Sequence, residues 1–170
     1  KKSSPLTHSN GTQHAGPVTL SLVVPVFNEE DSLDGFLLRI HQVFEQEALV
    51  QLELVFVNDG SSDTTLERLL HCQQSDSRIR IVDLSRNFGK EAALSAGLQV
   101  ATGQIVVPID VDLQDPPEVI LQMIERWREG FEVVLGHRLS RRNDTWAKQT
   151  SASWFYRLHN KIAEQSLPEN

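Results

Sequence analysis

The chain has 170 residues and a single cysteine, Cys72. That excludes an intrachain disulfide and a multi-cysteine metal site, and nothing points to an oxidising compartment. No window of about 18 apolar residues occurs, so no transmembrane helix is expected within the chain. The first seventeen residues, KKSSPLTHSNGTQHAGP, lack an apolar core segment. They read as a flexible leader (1–17), not as a secretory signal. A basic body is missing too. Residues 1–136 carry ten Lys/Arg against twenty Asp/Glu, a net of -10. That balance argues against nucleic acid as a partner. Hydrophobic residues still make up 39% of the chain, enough for the core of one ordinary domain.

The charge is uneven. Residues 137–161 hold Arg138, Arg141, Arg142, Lys148, Arg157 and Lys161 against Asp144 alone, a net of +5. Such a stretch reads as a solvated helix face or as a surface for phosphates or an anionic membrane.

From Val18 onward strand and helix patterns alternate. Thr19–Val26, Leu52–Val57, Ile79–Leu84, Gln104–Ile109 and Phe131–Leu135 are short apolar runs of strand type. Between them apolar residues recur at helical spacing: Leu33 to Phe44, Leu66 to Leu70, the Ala-rich Lys90–Ala101, and Ile120 to Trp127 after Pro116-Pro117. Thr145 to Glu164 reads as a last helix. This alternation predicts an α/β fold with a mostly parallel sheet and helices on both faces. Ligands of such sheets sit beyond the carboxyl ends of the strands.

Three strand ends carry polar clusters: Asn28-Glu29-Glu30-Asp31 after the first, Asn58-Asp59-Gly60-Ser61 after the second, and Asp110-Val111-Asp112-Leu113-Gln114-Asp115 after the fourth. The first reads equally well as a helix cap, and the second, continued to Asp63, reads mainly as turn chemistry. The third is harder to explain that way, because Asp110 and Asp112 repel unless a cation or hydrogen bonds compensate them. A hard divalent ion would do so, and would also neutralise a diphosphate. Lys90, with the backbone N–H groups around it, and Arg138 are candidate anion contacts or ordinary surface charges. Pro25–Asp31 contains no glycine, which argues against a phosphate loop of the nucleotidyltransferase kind.

Four motifs occur in order: Val24-Pro25-Val26-Phe27-Asn28-Glu29-Glu30, Val57-Asn58-Asp59-Gly60-Ser61-Ser62-Asp63, Arg86-Asn87-Phe88-Gly89-Lys90-Glu91 and Asp110-Val111-Asp112-Leu113-Gln114-Asp115-Pro116-Pro117. From about Leu20 onward the chain resembles a family 2 glycosyltransferase of the GT-A, Rossmann-like fold. Within that family it looks most like the polyprenyl-phosphate glycosyltransferases, the bactoprenol glucosyltransferase type above all. The resemblance implies an inverting transfer of a sugar, glucose from UDP-glucose in the first instance, to a lipid such as undecaprenyl phosphate. Dolichyl-phosphate-type transfer from GDP-mannose, and transfer of aminosugars, share the same motifs.

The resemblance also implies roles by position. Pro25, Phe27, Glu29 and Asp59 would hold the donor nucleoside. Asp110 and Asp112 match the DXD motif for Mg2+ or Mn2+ and the donor diphosphate, with Gln114 as a further metal ligand. Asp112, Lys90 and Arg138 would act on the reacting phosphates. The core would be 18–138. Residues 139–170, with Trp146, Trp154, Phe155 and Tyr156 among cations, would lie at the cytoplasmic face of a membrane. In the enzymes it resembles, the polypeptide continues into an acceptor-side segment and then transmembrane helices. That implies a soluble, truncated piece which binds donor and metal and whose turnover is in doubt. Self-association is left open, as are a saccharide acceptor and a donor-binding module without activity.

Overall fold

A computed structural model describes residues 16–136. The elements run β1 (Val18–Val26), α1 (Leu33–Phe44), β2 (Val50–Asn58), α2 (Thr65–Ser75), β3 (Ile79–Asp83), α3 (Lys90–Val100), β4 (Ile105–Pro108) and α4 (Glu118–Arg128). All four strands are parallel, in the order β3-β2-β1-β4.

The alternation of side chains along β1 divides the core. Leu20, Leu22, Val24 and Val26 pack with Leu33, Phe36, Leu37, Ile40 and Phe44 of α1, Leu69 of α2 and Ile120 and Ile124 of α4. The α1 positions fall three, four and seven apart, which is why one stripe of the helix is buried. Phe36 meets Phe56 of β2 edge to face, with ring centroids 5.9 Å apart. The other face of the sheet belongs to α3. There Gly97 lies so close to the strands that a Cβ would fall 2.9 Å from Val57 Cγ2 and also collide with Val23 Cγ1. Helices therefore cover both faces, as expected.

A polar stitch holds the far end of α3. The Glu53 carboxylate accepts hydrogen bonds from the Ser21 hydroxyl, Arg80 Nη1 at 2.8 Å, and the Thr102 N–H and hydroxyl, both at 3.0 Å. Burial alone would raise its pKa. The bonds from Ser21, Arg80 and Thr102 outweigh that and bring it down to about 2.

The chain reverses direction across the sheet. β1, β2 and β3 step one way, and α3 then carries the chain back to β4 on the free side of β1. The switch point is thus the seam between β1 and β4. Pairing there ends at Val23 with Pro108. The Val23 carbonyl faces β4, accepting from the Ile109 N–H at 3.0 Å, so by alternation Pro25 presents its backbone to the same side. Having no N–H, Pro25 lets the two strands part.

Phe131–Leu135, expected as a strand, is not one: the segment pairs with no strand among the described residues, and Phe131 and Leu135 are exposed. Apolar pattern alone does not make a strand; the backbone must find an edge to pair with. The expected helix at Thr145 to Glu164, the leader up to Ala15 and Arg138 all lie outside the described residues.

Candidate functional site

A cleft of about 310 Å³ opens at the switch point, lined by Pro25, Val26, Phe27, Glu29, Asp59, Asn87, Gly89, Lys90, Ala93, Asp110, Val111 and Asp112. The sequence named Pro25, Phe27, Glu29, Asp59, Lys90, Asp110 and Asp112 from four separate segments; the fold brings all seven to one place. Asn87 and Gly89 also line it. They sit inside the Arg86–Lys90 motif, but nothing in their residue types distinguished them.

The β1 and β2 ends are knitted together. The Asn28 N–H donates to Ser61 Oγ at 3.0 Å, and Asn28 Oδ1 accepts from the Ser62 N–H at 2.8 Å. The Glu29 N–H reaches Thr65 Oγ1 at 2.9 Å, and the Glu30 N–H reaches Asp63 Oδ2 at 3.3 Å. Glu30 Oε2 in turn accepts from the Thr64 N–H at 2.9 Å and from the Thr64 hydroxyl. These bonds hold the Glu30 carboxyl below its ordinary pKa. Asp63 is lowered too: burial pushes it up, but the hydroxyl and N–H of Thr65 and the N–H of Glu30 more than offset this. Glu30 and Asp63 are therefore loop fasteners. Glu29 faces the cleft, its carboxylate accepting from the Ser32 hydroxyl at 2.8 Å.

Asp59 is buried at the end of β2, 3% exposed. Its Oδ1 accepts from the Phe88 N–H at 2.7 Å and its Oδ2 from the Gly89 N–H at 2.9 Å. These are the N–H groups that the sequence offered, with Lys90, as an anion site. Both are committed to Asp59, while the Lys90 ammonium stands at the cleft beside Asp110. Beside them Arg86 lies over the Phe88 ring, 4.2 Å from its centroid.

After β4 the side chains split. Ile109 and Val111 turn into the core, while Asp110 and Asp112 turn outward to the cleft. Lys90 Nζ spans Asp110, 2.6 Å from Oδ1 and 2.7 Å from Oδ2. Leu113, at φ 54°, turns the chain, and the Gln114 N–H caps Asp112 Oδ1 at 3.1 Å. Gln114 is not among the residues lining the cleft.

Among the described residues no three His, Cys, Asp or Glu side chains gather to cage a metal ion. Two half-open carboxylates beside a lysine fit an ion shared with a ligand's phosphate oxygens, the usual arrangement for Mg2+.

A doubly wound parallel sheet, with carboxylates and a lysine meeting at its switch point, defines a Rossmann-like ligand-binding domain. Residues 21–170 match the family described as glycosyl transferase family 2. The chain is 47% identical over 153 residues to an uncharacterised glycosyltransferase of Synechocystis, covering 90% of this chain and 48% of the relative. It is also 47% identical over 151 residues to a prophage bactoprenol glucosyl transferase homologue of Escherichia coli, covering 89% and 49%. The chain thus spans about half the length of these relatives. A solved mannosyltransferase from Pyrobaculum calidifontis, in complex with GDP-Man and Mn2+, shares the fold with a TM-score of 0.56 and 26% identity, over 66% of this chain and 33% of that one. The chain belongs to glycosyltransferase family 2, and its fold is GT-A.

Proposed function

We propose that the chain carries the donor half of an inverting glycosyltransferase that moves glucose from UDP-glucose to a polyprenyl phosphate such as undecaprenyl phosphate. The observation that carries this is the convergence of Asp59, Lys90, Asp110 and Asp112 on one cleft at the switch point. Relatives named for bactoprenol glucosyl transfer support the acceptor and the sugar.

In this reading Pro25 and Phe27 form an apolar wall for the base, and Glu29 and Asp59 accept from the nucleoside. Lys90 leaves Asp110 to neutralise the departing diphosphate. Asp110 and Asp112 would hold Mg2+ or Mn2+, which supplies further charge neutralisation to that leaving group; the Mn2+ in the mannosyltransferase complex supports such an ion. Gln114 orients Asp112 through its backbone N–H. Arg138 remains a proposed phosphate contact outside the described residues. The acceptor phosphate is already anionic near neutral pH. Its oxygen bonds to the anomeric carbon as the carbon–diphosphate oxygen bond breaks, so positioning matters more than a strong base.

No described helix is long and apolar enough to cross a membrane. We assign the approach to a membrane's cytoplasmic face to the basic, aromatic segment 139–170. A GDP-mannose donor is the second reading, favoured by the GDP-Man complex of the mannosyltransferase.

Calorimetric titration of UDP and of GDP into the chain, with and without Mn2+, separates these readings. Metal-dependent UDP binding supports glucose transfer. A metal-dependent preference for GDP moves the donor to mannose. Binding of neither nucleotide sinks the donor-site reading.

A further inference from the structure

Asp59 is assigned above to the nucleoside, yet both of its oxygens turn toward the loop that starts α3. Oδ1 accepts from Phe88 at 2.7 Å and Oδ2 from Gly89 at 2.9 Å. Its own N–H is fixed to the Val26 carbonyl at 2.9 Å, so the carboxylate is anchored to the end of β1. The next residue reinforces the clamp. Gly60, at φ 67°, lies backbone to backbone with the same loop, where a Cβ would fall 2.6 Å from both Arg86 Cα and Asn87 N. Gly89, at φ 96°, immediately precedes α3. Lys90 is the first residue of α3, with its ammonium 2.6 Å from Asp110. A short path thus runs from the Asp59 carboxylate, through two backbone N–H groups, to the cation of the phosphate half.

The electrostatics agree. A carboxylate buried this far needs compensation, and two N–H groups at a helix start supply it. Once they are committed to Asp59, they hold the loop in place and leave Lys90 to meet an incoming anion.

We propose that Asp59 is a positioning residue for the phosphate half of the cleft: by clamping the Phe88 and Gly89 N–H groups it fixes the first turn of α3 and with it the reach of Lys90. This rests on the donor-site reading and deepens it. Nucleoside binding and phosphate binding then share one side chain, and damage to Asp59 is felt by a ligand that has no base at all.

Inorganic pyrophosphate with Mg2+ is that ligand, and uridine is its complement. Both are titrated into the wild type, Asp59→Asn, Lys90→Met and the double variant. Asparagine offers one acceptor oxygen and turns an NH2 toward the second N–H, so one clamp bond becomes a donor–donor clash. Asp59→Asn should weaken pyrophosphate about tenfold, as Lys90→Met does, and the double variant should be no weaker than Lys90→Met alone. Unchanged pyrophosphate affinity with weakened uridine would reduce Asp59 to a nucleoside contact. Additive losses in the double variant would show that it does not act through Lys90. Should Asp59→Asn fail to fold, amide hydrogen exchange of the wild type decides. Protected Phe88 and Gly89 N–H groups support the clamp, and exchange at free-chain rates overturns it. A wild type that binds neither pyrophosphate nor uridine overturns the donor-site reading itself, and this role with it.

Discussion

Two acidic regions border the same cleft, and they behave differently. After β1 and β2, Glu30, Asp59 and Asp63 each accept hydrogen bonds from neighbouring backbone. They hold loops together. After β4, Asp110 and Asp112 project outward, met by one lysine ammonium and one backbone N–H. Like-charged groups standing in the open do little for the fold, and their cost is accepted where a ligand or ion is to be met. The comparison teaches that an acidic cluster is read by its partners, not by its count.

The comparison breaks most visibly at Gly60. Its φ of 67° and the Arg86 and Asn87 backbone 2.6 Å from a would-be Cβ leave no room for alanine. Gly60→Ala should lose about 3 kcal/mol of stability in urea unfolding, through strain and overpacking together. An unchanged unfolding midpoint would mean that the two loops do not press on each other.

Asp112→Ala tests the open side. It should weaken Mn2+-dependent UDP binding about 100-fold, as expected on losing an ion's ligand, while shifting the unfolding midpoint very little. A variant that binds UDP normally removes Asp112 from the proposed metal site; one that melts early makes it a structural residue after all.

Lys90→Met should weaken UDP by about tenfold, the size of one charge-assisted contact, measured by the same titration. Its stability should hardly move, because an exposed ion pair contributes about 0–1 kcal/mol.

The smallest effect is on pH. The Glu30 and Asp63 carboxyls lie below their ordinary pKa values in the folded chain, and Glu53 at the far end of α3 lies at about 2. Their folded values are depressed, so their stabilisation is present above the unfolded values, 4.5 for Glu and 3.8 for Asp, and is lost as pH falls toward 2. Acid unfolding followed by circular dichroism should therefore steepen below about pH 4.5. Glu53→Gln should flatten that slope. A slope unchanged in that variant would mean that the bonds from Ser21, Arg80 and Thr102 to Glu53 do not stabilise the folded chain.

Much of the fold was legible in the sequence because period is local. Leu33, Phe36, Leu37 and Ile40 announce one face of a helix, and Thr19–Val26 announces a buried strand. The fifth strand at Phe131–Leu135 failed on the same logic, since its apolar run says nothing about whether an edge is there to pair with. The site was legible as four motifs, and the seven residues singled out from them do line one cleft. The division of labour among them was not legible. Nothing local to Glu30 says that its partner is Thr64, and nothing near Asp59 points to the N–H groups of Phe88 and Gly89, about 30 residues on.

The sequence by itself therefore determined the order of the first four strands and their helices, the strand ends that carry polar clusters, and the family. Spacing and turn residues are enough for the elements, and four motifs in order carry the resemblance to the family. Tertiary structure decided which face α3 covers and why Gly97 must be bare there. It also decided where β1 and β4 part, and which carboxylates are fasteners and which stand open. Those outcomes depend on groups brought together from 20 or more residues apart, and only the packed chain chooses such partners.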